Sequence, residues 1–80
     1  MIVAAAIKQD GRVWTLPPPA RHHDLIQLVI EKTGDYSGEQ GFVDDKGNFL
    51  NRVQAGQEAV GSGQLEKLPR PPRLFSEDLW

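Results

Sequence analysis

Proline residues limit where this chain can form regular structure, because they occur in two short groups, at Pro17–Pro19 and within residues 69–72. Proline has no backbone N–H and a fixed φ, so it does not fit inside a helix or a central strand. The first group must end any strand that precedes it, and the second excludes a regular helix from the end of the chain. We expect a single domain over residues 1–80, in which residues 64–80 form an extended Pro-rich arm. This arm is expected to dock on the body or on a neighbouring protomer.

Two β-hairpins are predicted from short apolar runs that flank turn residues. In the first, residues 2–8 and 12–16 lie on either side of an Asp-Gly turn. In the second, residues 41–43 and 48–50 flank the sequence Asp-Asp-Lys-Gly. Aspartate side chains and a glycine with positive φ favour a turn there.

Two helices are predicted, one after each hairpin. Apolar residues at helical spacing between 25 and 30 predict the first, and Gly34 is placed to end it. Asn51, followed three residues later by Gln54, forms a capping-box pattern for a second helix from Arg52 to about Val60. The order β-β-α-β-β-α indicates an α+β fold, a small antiparallel sheet of about four short strands with two helices.

Chain length, cysteine content and charge narrow the possible classes of protein. A domain of 80 residues has a small core, and such domains are often stabilised by disulfides, metals or association. The chain has no cysteine, so we expect it to be oligomeric instead. Its net charge of −2 argues against binding to DNA or RNA duplexes. No apolar run approaches the ~20 residues of a membrane span, so we expect a cytoplasmic protein with no membrane partner.

The sequence Arg-His-His-Asp at residues 21–24 is the first candidate site. Adjacent residues point about 100° apart on a helix, and zinc-binding helices place their ligands at i and i+4, so we expect no metal here. Two other interpretations stay open. These residues either form an ordinary helix start with one histidine packed inward, or Arg21 and His23 bind a phosphate together with the N–H groups of the helix.

Two further segments carry residues suited to nucleotide binding. In the second hairpin, Phe42 is either a core residue or a stacking surface for a base, and Asn51 is either a helix cap or a polar ligand contact. In the arm, Arg70 and Arg73 are either solvated or held by the neighbouring prolines as a phosphate clamp. The chain has no nucleophile with a partner base and no convincing pair of acids. We therefore expect no enzyme activity and no cofactor.

Three separated blocks of the sequence resemble one family of small phage proteins. The blocks are "RHHDLI", "GEQGFVDDKGNFLNR…A…A…GQ" and "LFSEDLW". They are similar to the first Thoeris anti-defence family, whose members are sponge proteins that sequester glycocyclic ADP-ribose signals. The resemblance covers most of the chain and preserves the order of the blocks. The central and final blocks are the specific ones.

The resemblance implies a non-catalytic, ligand-binding function. Such proteins bind a cyclic ADP-ribose-type signal in the host cell cytoplasm, leave it unmodified, and form dimers or hexamers; some also bind cyclic di- or trinucleotides. By this resemblance Arg21 and either Arg70 or Arg73 contact phosphate, Phe42 stacks on the base, and Asn51 contacts base or ribose. The segment between Gly34 and Gly38 is shorter than in the family pattern, and this difference argues against carrying a second nucleotide site over from the resemblance.

One alternative belongs to a different class of function. Small phage proteins often inhibit a host protein by direct binding, and the terminal sequence Ser-Glu-Asp-Leu-Trp could serve as a docking peptide. The two hypotheses predict different dependences. Inhibition by sequestration should depend on the concentration of the signal, and inhibition by direct binding on the concentration of the target protein.

Overall fold

The computed structural model describes residues 1–80, which form one four-stranded sheet and two helices. The elements in chain order are β1 (Ile2–Gln9), β2 (Arg12–Thr15), α1 (His22–Thr33), β3 (Glu39–Asp44), β4 (Phe49–Asn51) and α2 (Arg52–Gly61), followed by a single 3₁₀ turn at Ser76–Asp78. The prediction of an α+β fold, with about four short antiparallel strands and two helices, is confirmed. Oligomerisation stays a prediction.

The sheet has the strand order β2-β1-β3-β4, and every neighbouring pair is antiparallel. The alanines of β1 explain its central place. Ala5 is fully buried in the core beneath the helices, while Ala4 and Ala6 are buried on the other face with Val43. A short side chain on each face allows both faces of the strand to be covered.

Both helices pack on the same face of the sheet. Leu25 and Val29 of α1 and Ala55 and Ala59 of α2 are fully buried in one cluster with Phe42. The small residues of α2 let its backbone approach the sheet closely. The second, smaller cluster, on the opposite face, contains no helical residue.

The helix ends follow the capping chemistry predicted from the sequence. The Asn51 side-chain oxygen accepts the N–H groups of Val53 and Gln54 at 3.0 and 2.8 Å. The Gln54 side chain in turn accepts the Asn51 N–H at 3.0 Å, which completes a capping box. Gly34, with φ of 88°, ends α1 in the left-handed conformation that glycine adopts without strain.

The Pro-rich arm lies against the body of its own chain. Leu74 is fully buried in the main core, and its N–H donates to the Arg52 carbonyl at 2.9 Å. At the far end the Trp80 indole N–H donates to the Ala20 carbonyl at 3.0 Å. The last seven residues, which we call the C-terminal strap (74–80), therefore run from the start of α2 to the start of α1.

Candidate functional site

The two helices begin beside each other, and the C-terminal strap crosses over both starts. His22, the first residue of α1, is hydrogen-bonded through Nε2 to the Gly41 carbonyl at 2.7 Å. Gly41 is the register partner of Asn51, which caps α2. Arginines at the two helix starts, Arg21 and Arg52, are thereby brought to the same end of the molecule as the strap.

Arg52 is the most firmly held of these arginines. Its guanidinium donates to the Leu74 carbonyl at 2.9 Å and to the Gln40 side-chain oxygen. Gln40 in turn donates to the Tyr36 hydroxyl at 3.0 Å. Burial lowers the pKa of Arg52, and the neighbouring charges of Arg73 and Arg70 lower it further, although Glu77 and Tyr36 act in the opposite direction.

Phe75 is the aromatic residue at the centre of this group. The guanidinium carbon of Arg52 lies 4.7 Å from the centroid of its ring, and that of Arg70 lies 4.4 Å away. Both distances are within the range of cation–π attraction. One partly buried ring of the strap therefore orients two arginines from different segments of the chain.

Two carboxylates of the strap face the arginines. Asp78 accepts from Arg70 at 2.9 Å and from the Phe75 N–H at 2.9 Å, and its side chain is only 4% exposed. Glu77 lies between Arg21 at 3.8 Å and Arg70 at 3.7 Å, and its side chain is 52% exposed. Arg21 also donates to the Trp80 carbonyl. We call Arg21, Arg52, Arg70 and Arg73 the arginine cluster.

The cluster contains three of the six site residues predicted from the sequence. Arg21 and Arg70 approach the same carboxylate, and the exposed Arg73 acts electrostatically on Arg52. His23 lies outside the cluster's contacts: its side chain is 73% exposed, and its Nε2 atom lies 3.3 Å from the Asp24 carboxylate. The neighbouring histidine, His22, is the buried one, and burial lowers its pKa.

The two remaining predicted residues have structural positions in this chain. Phe42 is 0% exposed and packs edge-to-face against His22 with ring centroids 5.0 Å apart, so it offers no ring face to a base. The side-chain oxygen of Asn51 is occupied by the two N–H groups of the helix start. Both correspond to the structural alternatives considered from the sequence, a core phenylalanine and a helix cap.

Sequence reasoning did not select Tyr36, Gln40, Phe75 or Glu77 as site residues. A polar Gln40 beside the buried run of β3 was a usable signal, because a polar group next to a core needs a hydrogen-bond partner. The role of Phe75 could not be predicted from a helical or strand-like pattern of apolar residues, since the strap is neither a strand nor a long helix. No group of three or more His, Cys, Asp or Glu side chains is arranged to hold a metal ion.

The model of the phage T4 y16D protein family matches residues 1–80. Because the match spans the whole sequence, the chain belongs to that family, and the protein is a phage protein. No curated protein and no solved structure matches it. Neither helix has the length and apolar character needed to cross a membrane.

Proposed function

We propose that this phage protein binds and sequesters a cyclic nucleotide immune signal in the cytoplasm of the host, without cleaving it. The proposed ligand is glycocyclic ADP-ribose, and cyclic di- or trinucleotides are second candidates. The ligand class comes from the resemblance to the first Thoeris anti-defence family. The family to which the chain belongs supports a phage setting only.

The observation that carries the proposal is the convergence of four arginines in a chain with a net charge of −2. They come from the starts of both helices and from the Pro-rich arm, and two of them are oriented by Phe75. Guanidinium groups bind phosphate through paired N–H donors, and each such charge-assisted contact contributes about 1.5–3 kcal/mol. A local cluster of this kind is suited to a small phosphorylated ligand rather than to a nucleic acid duplex.

We propose Tyr36 as the aromatic contact for the base, in place of the buried Phe42. Tyr36 is partly exposed and is joined to Arg52 through Gln40. A base that stacked on this ring would stand close to arginines that hold its phosphates. The polar role assigned to Asn51 passes to Gln40, whose amide already contacts both Tyr36 and Arg52.

Self-association is also proposed, as a dimer or hexamer. The face of the sheet opposite the helices supports it, because no helical residue packs on this face, Phe49 on it is only partly buried, and its edge residue Val13 is 44% exposed. Light scattering tests the proposal. A mass of two or six chains is expected, and a mass of one chain at micromolar concentration would contradict it.

The test of the proposed function is a capture-and-release assay. The protein is mixed with glycocyclic ADP-ribose, free ligand is filtered away, the protein is denatured by heat, and the released nucleotide is identified by mass spectrometry. Intact ligand that is depleted by the native protein and recovered on heating is the expected result. An altered product would indicate an enzyme, and absence of depletion would reject this ligand.

A second candidate function is inhibition of a host protein by direct binding. It is favoured by an apolar groove of about 400 Å³ between α2 and the arm, lined in part by Val53, Val60, Leu68 and Pro72. Val53 and Val60 are 38% and 39% exposed. If this function holds, inhibition in infected cells will follow the concentration of the target protein. If sequestration holds, inhibition will follow the concentration of the signal.

A further inference from the structure

Glu77 occupies the space between two arginines without forming a close ion pair with either. Its Oε1 atom is 3.8 Å from Arg21 Nη1, and its Oε2 atom is 3.7 Å from Arg70 Nη2. Charge-assisted hydrogen bonds between these groups are normally ~2.7–2.9 Å long. The two oxygens of one carboxylate therefore bridge the arginines by charge attraction. Arg70 Nη2 also donates to Asp78 and Arg21 Nη2 to Trp80, but each guanidinium keeps further N–H groups on the side of Glu77 that another anion could accept from.

Asp78, the next residue, has the opposite character. Its carboxylate is almost fully buried and accepts both from Arg70 and from the Phe75 N–H at 2.9 Å. Removing Asp78 would open the 3₁₀ turn that shapes the strap, whereas moving Glu77 breaks no hydrogen bond to the backbone and loses only a long one, 3.3 Å, from the Ser76 hydroxyl. Of the two acidic residues, Glu77 alone can leave its position while the strap stays in place.

The charges of the arginine cluster indicate which kind of anion could replace the Glu77 carboxylate. The four arginines carry +4 and the two carboxylates −2, which leaves +2. If Glu77 swings into solvent, the local charge rises to +3. A pyrophosphate group has a charge of about −2 and oxygens on both of its phosphates, so it can bridge the two arginines with more negative charge than the −1 of Glu77. A singly charged anion would bring no more charge than Glu77 already supplies.

We propose that Glu77 is an internal competitor that occupies the phosphate position between Arg21 and Arg70 and selects ligands that carry a pyrophosphate group. This inference rests on the proposed function and deepens it, since it names the residue that sets ligand specificity. When no ligand is bound, Glu77 competes with anions from solvent for the two guanidiniums. A pyrophosphate displaces it, whereas singly charged anions such as carboxylates compete poorly.

The test measures pyrophosphate affinity in three full-length proteins by isothermal titration calorimetry: the natural sequence, Glu77→Gln and Glu66→Gln. Glu66 lies exposed in the same arm and forms no ion pair, so it controls for the change in net charge. Glu77→Gln is expected to bind about 1.5- to fivefold more tightly, the range for removing weak, exposed pairs. Glu66→Gln is expected to match the natural sequence.

Three results would overturn the inference. These are equal or weaker binding by Glu77→Gln, an equal gain in Glu66→Gln, or no binding of pyrophosphate by any of the three proteins. A parallel titration with glycocyclic ADP-ribose separates the two proposals. If Glu77→Gln gains affinity for pyrophosphate but no protein binds the nucleotide, the competitor role stands and the proposed function fails.

Discussion

At the scale of single residues, burial gives two neighbouring histidines different properties. His22 is 6% exposed, hydrogen-bonds to the Gly41 carbonyl and packs against Phe42. The side chain of His23 is 73% exposed. The sequence alone did not decide which histidine packs inward, because both lie at the same helix start and their side chains differ only in direction, by about 100° around the helix axis.

The first prediction concerns the pH dependence of stability. Burial lowers the pKa of His22 below its ordinary 6.5, so the folded protein holds this ring neutral while the unfolded chain takes up a proton. The free energy of unfolding should therefore fall as the pH drops below about 6.5 and through the lowered pKa, with a slope of at most about 1.4 kcal/mol per pH unit from this group.

The comparison of urea unfolding at several pH values checks this. His22→Gln keeps a donor for the Gly41 carbonyl and removes the titration, so it is expected to flatten the slope below pH 6.5. His23→Gln, on the exposed neighbour, is the control and should leave the slope as it is. A slope that is lost in His23→Gln and kept in His22→Gln would refute the assignment.

At the scale of elements, the turns and helix ends could be predicted from the sequence, because they depend on the chemistry of adjacent residues. The Asp-Gly and Asp-Asp-Lys-Gly turns, the Asn51 cap and the helix end at Gly34 are each decided by a few adjacent residues, and all four are present. The position of Phe42 could not be predicted in this way. Residues 41–43 are buried in succession, so alternation along β3 does not reveal which side chain faces solvent.

The second prediction concerns the close packing of β3 and β4. A Cβ atom at Gly41 would meet the Leu50 carbonyl oxygen and the ring of Phe49. Because one of these is backbone, Gly41→Ala is expected to destabilise the fold by about 1–3 kcal/mol. Gly61→Ala, whose Cβ would meet nothing within 4 Å, is the matched control. Equal urea midpoints for the two variants would contradict the close approach.

The third prediction concerns the attachment of the C-terminal strap. Leu74 is fully buried in the main core, whereas Leu68 of the same arm is only partly buried. Leu74→Ala is expected to lower the free energy of unfolding by about 2–5 kcal/mol, and Leu68→Ala by less. Thermal or urea unfolding measures both. A larger loss for Leu68→Ala would show that the strap is anchored elsewhere.

At the scale of the whole molecule, the site depends on contacts between distant segments. Arg21, Arg52 and Arg70 belong to two helix starts and an arm, and they meet only because the strap spans the ends of both helices. Sequence reasoning selected Arg21, Arg70 and Arg73 as candidates, but not the contact of Arg70 with Phe75 or those of Arg21 and Arg70 with Glu77. Long-range packing of an irregular segment has no periodic pattern from which it could be predicted.

The central claim is that the arginine cluster binds a phosphorylated cyclic nucleotide, and the most direct test compares two arginines that lie over aromatic rings. Arg70 lies over Phe75 within the cluster, and Arg12 lies over Trp14, 4.6 Å from its centroid, on the edge strand β2. The affinity for glycocyclic ADP-ribose is measured by calorimetry for the natural sequence, Arg70→Gln and Arg12→Gln. We expect Arg70→Gln to bind about ten- to a hundredfold more weakly, from the loss of one charge-assisted contact, and Arg12→Gln to bind as the natural sequence does. Unchanged affinity in Arg70→Gln, or an equal loss in both variants, would contradict the claim.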